Sequence, residues 1–169
     1  DGAFQNCTNL EKVELADNSV WRIGKNAFYN CSNLKTANFP ESLYEIGASA
    51  FAFCSSLENV VLPEKLKTIN KCVFRDCRSL TSVTLKEGLE TIGEGAFNSC
   101  SSLTGIHIPA SVKNIQIADS GSNFDTPFSG CAMLSEITVA EDNSVYMSKG
   151  CNAVMQRSNR TLIVGCTGT

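Results

Sequence analysis

The chain contains a single histidine and four prolines, and no stretch approaching the roughly 18 consecutive apolar residues of a membrane-spanning helix. No membrane span is therefore expected in this segment. One histidine is a poor basis for acid-base chemistry, which needs a positioned partner. A Gly-rich phosphate loop, a serine nucleophile elbow and a His-Glu metal motif are all missing. The sequence therefore predicts no enzyme, no cofactor and no metal site. The net charge is −3, with lysines and arginines scattered along the chain, so no basic patch points to nucleic acid or an anionic membrane surface. There is no charged-then-apolar leader, and position 1 is Asp1 rather than methionine. With an opening inside a repeat at Ala3-Phe4, this predicts a piece of a longer or processed product, with any export signal or anchor lying outside it.

What is abundant is internal repetition. The signal Phe-x-x-Cys-x-x-Leu begins at Phe4, Phe28, Phe51, Phe74, Phe97 and Phe128, at spacings of 24, 23, 23, 23 and 31. A fixed period in the twenties is the length of one coil in a stacked solenoid, where no unit folds alone and neighbouring units share a core. At 169 residues and 43% hydrophobic content, the chain is long enough to bury such a core as one domain.

Each unit changes period part-way. Phe, Cys and Leu fall at i, i+3 and i+6, as on one face of a short helical turn. Alternation then takes over, as in Leu57, Val60 and Leu62 or Leu80, Val83 and Leu85, which predicts a strand. Pro40, Pro63 and Pro109 remove a ladder donor and end it. A second apolar pair (Leu43 and Ile46, Leu66 and Ile69, Leu89 and Ile92, Val112 and Ile115) predicts a short return strand. Gly24, Gly47 and Gly93 follow that pair, with Asn70 at the equivalent place, and predict a left-handed turn.

The full pattern Ala-Phe-x-x-Cys-x-x-Leu-x-x-Val-x-Leu-Pro-x-x-Leu-x-x-Ile-Gly resembles the BspA-like, or Treponema pallidum-type, leucine-rich repeats of bacterial and some protist surface proteins. The resemblance covers residues 3 to 139 directly. The segment NSVYMSKGCNAVMQRSNRTLIVGC, residues 143 to 166, is similar to one that interrupts such arrays before repeats resume. The expected fold is a mainly β repeat solenoid, a right-handed coil stack with parallel strands on the concave face, short return strands and short helical turns. It forms a single domain over 1–169, with repeats over 1–139 and a hairpin-like interruption over 140–169. The resemblance implies a secreted or cell-surface bacterial adhesion module that binds a host extracellular-matrix or neighbouring-cell protein. A structural spacer and a glycan-binding module are the alternatives.

If the strands alternate as read, the outward row is Lys12, Glu14, Thr36, Asn38, Asn59, Val61, Ser82, Thr84, Gly105, His107, Glu136 and Thr138. This row is the candidate ligand-binding surface, although it lacks the aromatics and arginines that anchor many interfaces. His107 reads as a ligand-facing or solvated side chain. Cys7, Cys31, Cys54, Cys77, Cys100 and Cys131 fall one per coil, where metal sites want paired ligands, and read as an inward row of small apolar thiols. Cys72 aligns with Asn26, Ser49 and Gly95 and reads as a free thiol at the rim. Cys151 and Cys166 flank a hairpin that turns near Ser158-Asn159, and would face each other as a disulfide or as two reduced thiols. The longer interval before Phe128 carries QIADSGSNFDTP, a surface loop or a ligand-contacting loop with Phe124 exposed.

Overall fold

The structure is a computed structural model, and it describes residues 1–16, 18–118, 126–148 and 152–165. Its strands follow in order: β1 (Lys12–Glu14), β2 (Arg22–Ile23), β3 (Thr36–Asn38), β4 (Glu45–Ile46), β5 (Asn59–Val61), β6 (Thr68–Ile69), β7 (Ser82–Thr84), β8 (Thr91–Ile92), β9 (Gly105–Ile108), β10 (Asn114–Ile115), β11 (Glu136–Val139), β12 (Tyr146–Met147), β13 (Ala153–Gln156) and β14 (Leu162–Gly165). From β1 to β11 the odd-numbered strands form the front of a mainly β solenoid, and β2 to β10 are the returns.

The front strands pair in parallel as β1 with β3, β5 with β7 and β9 with β11. The ladder that runs unbroken is the return side, five parallel strands in the order β10-β8-β6-β4-β2. Glycine explains why that side is so tight. Gly47 N donates to Ile23 O at 2.8 Å, and Gly93 N donates to Ile69 O at 2.8 Å. A Cβ on Gly47 would lie 2.5 Å from Lys25 N, and one on Gly93 would lie 2.6 Å from Ile69 O. The expected left-handed turn at these glycines is therefore corrected. They are needed for the close approach of each coil to the backbone of the preceding one. Asn70, at the same position, donates its Nδ2 to Ile46 O at 2.7 Å.

Left-handed residues lie further on, two in each full corner. One set is Gly2, Asn26, Ser49, Cys72 and Gly95; the other is Asn6, Asn30, Phe53, Asp76, Ser99 and Gly130. A left-handed residue every four positions cannot propagate an α-helix, and the described residues contain none. The i, i+3 spacing is carried instead by consecutive turns, with Cys31 N bonded to Phe28 O at 3.1 Å and Leu34 N to Cys31 O at 3.0 Å. Alternate amides turn toward the next coil: Phe28 N reaches Ala50 O, and Asn30 N reaches Ala52 O, both at 2.8 Å.

The core is a set of ladders along the stack. Phe4, Phe28, Phe51, Phe74, Phe97 and Phe128 form a continuous column with ring centroids 5.0 to 5.7 Å apart and nearly parallel planes. Leu34, Leu57, Leu80, Leu103 and Leu134 line it, with Ile46, Ile69 and Ile92 from the return side. The long interval leaves the stacking intact, since Gln116 N still bonds Ile92 O and Phe97 N still bonds Pro127 O. Phe124 lies outside the described residues.

After the array, β12, β13 and β14 form an antiparallel sheet with a bulge between Val154 and Met155. It meets the last coil through buried polar contacts. Tyr146 Oη accepts from Ile115 N at 2.9 Å, beside the edge of the return ladder. Buried Asn143 donates Nδ2 to Pro109 O and Val112 O, while its Oδ1 accepts from Val145 N and Tyr146 N. All of its hydrogen-bonding capacity is used, which is what makes its burial tolerable. Cys151 and Cys166 lie outside the described residues.

Candidate functional site

Alternation on the front strands sends Val60, Val83, Ile106 and Ile137 inward. The residues between them line up across neighbouring coils: Lys12 beside Thr36, Glu14 beside Asn38, Asn59 beside Ser82, Val61 beside Thr84, Gly105 beside Glu136, and His107 beside Thr138. All twelve lie on one face. Several engage one another there. Ser82 Oγ donates to Asn59 Oδ1 at 2.6 Å, His107 Nδ1 lies 2.9 Å from Thr138 Oγ1, and Lys12 pairs with Glu14. Asn38 turns back to the preceding coil, where its Oδ1 accepts from Leu15 N. Val61 is 54% exposed, a large apolar side chain left facing solvent in this row.

Charge on the remaining surface is arranged between coils. Lys35 pairs with Glu11, Arg22 with Glu45, Lys67 with Glu90 and Lys71 with Glu94, at 2.9 to 3.3 Å. These pairs are solvent-exposed and each contributes little to stability. Glu87 acts differently, since its carboxylate accepts from Ala110 N and Ser111 N and so caps the turn of the following coil. Among the described residues, no group of three or more His, Cys, Asp or Glu side chains could hold a metal ion, and no helix is long and apolar enough to cross a membrane.

The in-register cysteines carry a regularity beyond apolar filling. The thiols of Cys31, Cys54, Cys77, Cys100 and Cys131 donate to the carbonyls of Phe4, Phe28, Phe51, Phe74 and Phe97, one coil back, at 3.1 to 3.2 Å. Cysteine suits this place because it is small and apolar yet supplies one weak donor. Cys7 departs from the expected inward row and is exposed. Cys72 departs from the expected rim position and is buried. Burial raises its thiol pKa above the usual range.

Burial pushes Cys54 and Cys131 from the ordinary 9.0 up to about 12, and drives Cys77 and Cys100 well above 9.0. Below pH 9 these thiols are protonated in both folded and unfolded chains, so they add no pH dependence. Above it the unfolded chain loses protons that the folded chain keeps, and stability falls. The urea midpoint is expected to drop as pH rises from 9 toward 12, less steeply in Cys54→Ala than in the parent. Equal slopes in the two chains would assign the drop to other groups.

A family profile described as "BspA type Leucine rich repeat region (6 copies)" matches residues 1–120. The chain belongs to the BspA-type leucine-rich repeat family. Among solved structures, a leucine rich cell surface protein from Faecalibacterium prausnitzii A2-165 is similar, at 36% identity and a TM-score of 0.79 over 95% of this chain and 41% of that one. The T. pallidum leucine rich repeat protein TpLRR matches at 30% identity and a TM-score of 0.66, over 75% of this chain and 56% of that one. The pneumococcal vaccine antigen PcpA matches at 27% identity and a TM-score of 0.74, over 89% of this chain and 35% of its own. The chain thus spans between about a third and a little over half of these structures. No curated protein matches it.

In this BspA-type stack the exposed aromatics lie away from the front row. Trp21 and Tyr44 are 62% and 53% exposed on adjacent return coils, joined by the bond from Tyr44 N to Trp21 O. A second cluster occupies the turn corner. Tyr29 packs edge-on to Phe53 at 5.3 Å, and the Arg75 guanidinium lies 5.2 Å from the Phe53 ring centroid. Asp76, buried, is shared by Arg75 at 3.3 Å and Arg78 at 3.0 Å. Reading strands as the functional elements passes over both clusters. The available signal was misfit within the repeat, namely aromatics where other coils carry Asn, Ser or charged residues.

Proposed function

We propose that this BspA-type array is a non-catalytic protein-binding module of a secreted or cell-surface bacterial protein, and that it engages its partner through the front strand face. The carrying observation is the register. Six pairs of outward residues, from Lys12 and Thr36 to His107 and Thr138, are held on short strands backed by a packed core. Side chains on such a support lose little freedom on binding, which favours recognition by a broad surface. The description of the Faecalibacterium structure as a cell surface protein supports the location. His107 meets a threonine hydroxyl on an exposed strand, an arrangement suited to hydrogen bonding a partner.

The test is binding of the chain, beside a Thr84→Glu, His107→Glu double variant, to immobilised extracellular-matrix proteins and glycans. The expected result is binding to a protein that the double variant loses while its melting temperature is kept. Binding lost in Trp21→Ala and kept in the double variant would move the interface to the return side. Binding by none of them would favour a spacer, and binding confined to glycans would change the partner class.

A further inference from the structure

The two faces of the β12-β13-β14 sheet serve different ends. Tyr146, Val154 and Val164 are buried and belong to the hydrophobic core. Met147 and Met155, each one residue further on, are cross-strand partners on the opposite face. With Arg157 and Arg160 they line a cavity of about 500 Å³. That volume falls in the range of small-molecule sites, about 300 to 1,000 Å³. The bulge between Val154 and Met155, a device that re-aims side chains, shapes its wall.

Arg157 is fixed in advance of any ligand. Its Nε donates to Asn143 O at 2.6 Å and to Tyr146 O at 2.9 Å, and its Nη2 donates to Glu141 O at 2.8 Å. Carbonyls hold the guanidinium in place without neutralising it, and Nη1 has no partner among the described residues. Arg160 sits at the hairpin turn, its N bonded to Gln156 O at 2.9 Å, and its side chain likewise has no partner among the described residues. The chain has five arginines, and Arg22, Arg75 and Arg78 each have a carboxylate within 4 Å. Among the described residues the two that share this cavity have none. A smaller adjoining cavity of about 270 Å³ shares Met147 and Arg157 and includes Glu141, which meets Arg157 through its backbone carbonyl rather than its carboxylate.

We infer that this cavity is a binding site for an organic carboxylate with an apolar body, separate from the front strand face. The carboxylate accepts from Arg157 Nη1 and from the Arg160 guanidinium, whose planar forks suit it. The apolar body lies on Met147 and Met155, whose flexible thioethers adapt to varied shapes. These methionines favour an organic acid over a bare anion such as phosphate, which has no apolar surface to offer them. A free acid and the C-terminus of a peptide share this chemistry.

The experiment follows amide NMR spectra of the chain during titration with hexanoate, with hexanamide and inorganic phosphate as controls. Acetyl-alanyl-leucine, as free acid and as amide, is the peptide pair. Shifts at Met147, Met155 and residues 157 to 160 are expected with hexanoate or the free-acid peptide, and the tighter of the two identifies the source. Arg160→Gln is expected to weaken binding by about 10-fold or more, the loss of one charged partner, with the melting temperature kept because its side chain holds nothing in the fold. Arg157→Gln would also remove the carbonyl contacts, so Met147→Glu, which places a like charge on the wall, is the second variant and should weaken binding as well. Absence of shifts with both acids, equal shifts with hexanamide, or undiminished binding in both variants would overturn the site. Phosphate bound as tightly as hexanoate would overturn the choice of ligand.

Discussion

Replacing Phe74 with alanine is expected to lower stability by about 3 to 5 kcal/mol, read as a drop in melting temperature of about 6 to 20 °C and in the urea midpoint. Phe74 is fully buried, with Phe51 and Phe97 stacked on its two sides at 5.7 and 5.5 Å and Phe39 edge-on at 6.5 Å. The cavity left by its ring is walled by other coils whose spacing is set by backbone hydrogen bonds, so it cannot collapse without breaking them. A central coil also contributes two interfaces in a stack whose stability is a sum over neighbours. The loss should therefore broaden the transition as well as lower it. Phe4→Ala is the internal comparison, since Phe4 is 47% exposed and, among the described residues, its ring stacks on one side only, against Phe28. It should cost clearly less. Equal effects at Phe4 and Phe74 would contradict a column whose middle carries the stability.

Gly93→Ala is expected to destabilise by about 1 to 3 kcal/mol, the range for overpacking a close-packed site. Its added Cβ would lie 2.6 Å from Ile69 O, 2.8 Å from Asn70 C and 2.9 Å from Lys71 N, all backbone atoms of the preceding coil. No side-chain rotation can relieve such contacts, so the coils must separate and stretch the bond from Gly93 N to Ile69 O. Gly165→Ala is the control, because nothing lies within 4 Å of a Cβ there. Thermal melts of the two variants decide the matter. A melt for Gly93→Ala that matches Gly165→Ala would mean the return ladder tolerates a wider spacing.

These two residues also mark how far residue patterns carry the reading. Phe74 is legible because core contacts repeat: a side chain type that returns every 23 residues at the same phase must face its own copies in a stack. The front strands are legible for the same reason, since alternation sorts Val60 from Asn59 and Val61 with no knowledge of the rest of the coil. Gly93 is legible as a required glycine, but its reason is not. A recurring glycine has two explanations, positive φ and close approach, and only the distance to Ile69 O separates them. The helical corner failed similarly, because i, i+3 spacing is shared by a helix and by linked turns. The left-handed residues that exclude a helix are chosen by hydrogen bonds to the next coil.

Periodic residue choice was enough to settle the solenoid, its period, its inward ladders and the row of outward front positions, because each of these depends on the phase of a residue within its own coil. Contacts between coils settled the rest: the unbroken return ladder, the thiol to carbonyl bonds, the Asn143 and Tyr146 contacts beside β10, and the grouping of Tyr29, Phe53, Arg75 and Arg78. These features join residues of different coils, and no coil contains them by itself. They arise only when stacking brings distant positions within hydrogen-bonding or ring-contact range.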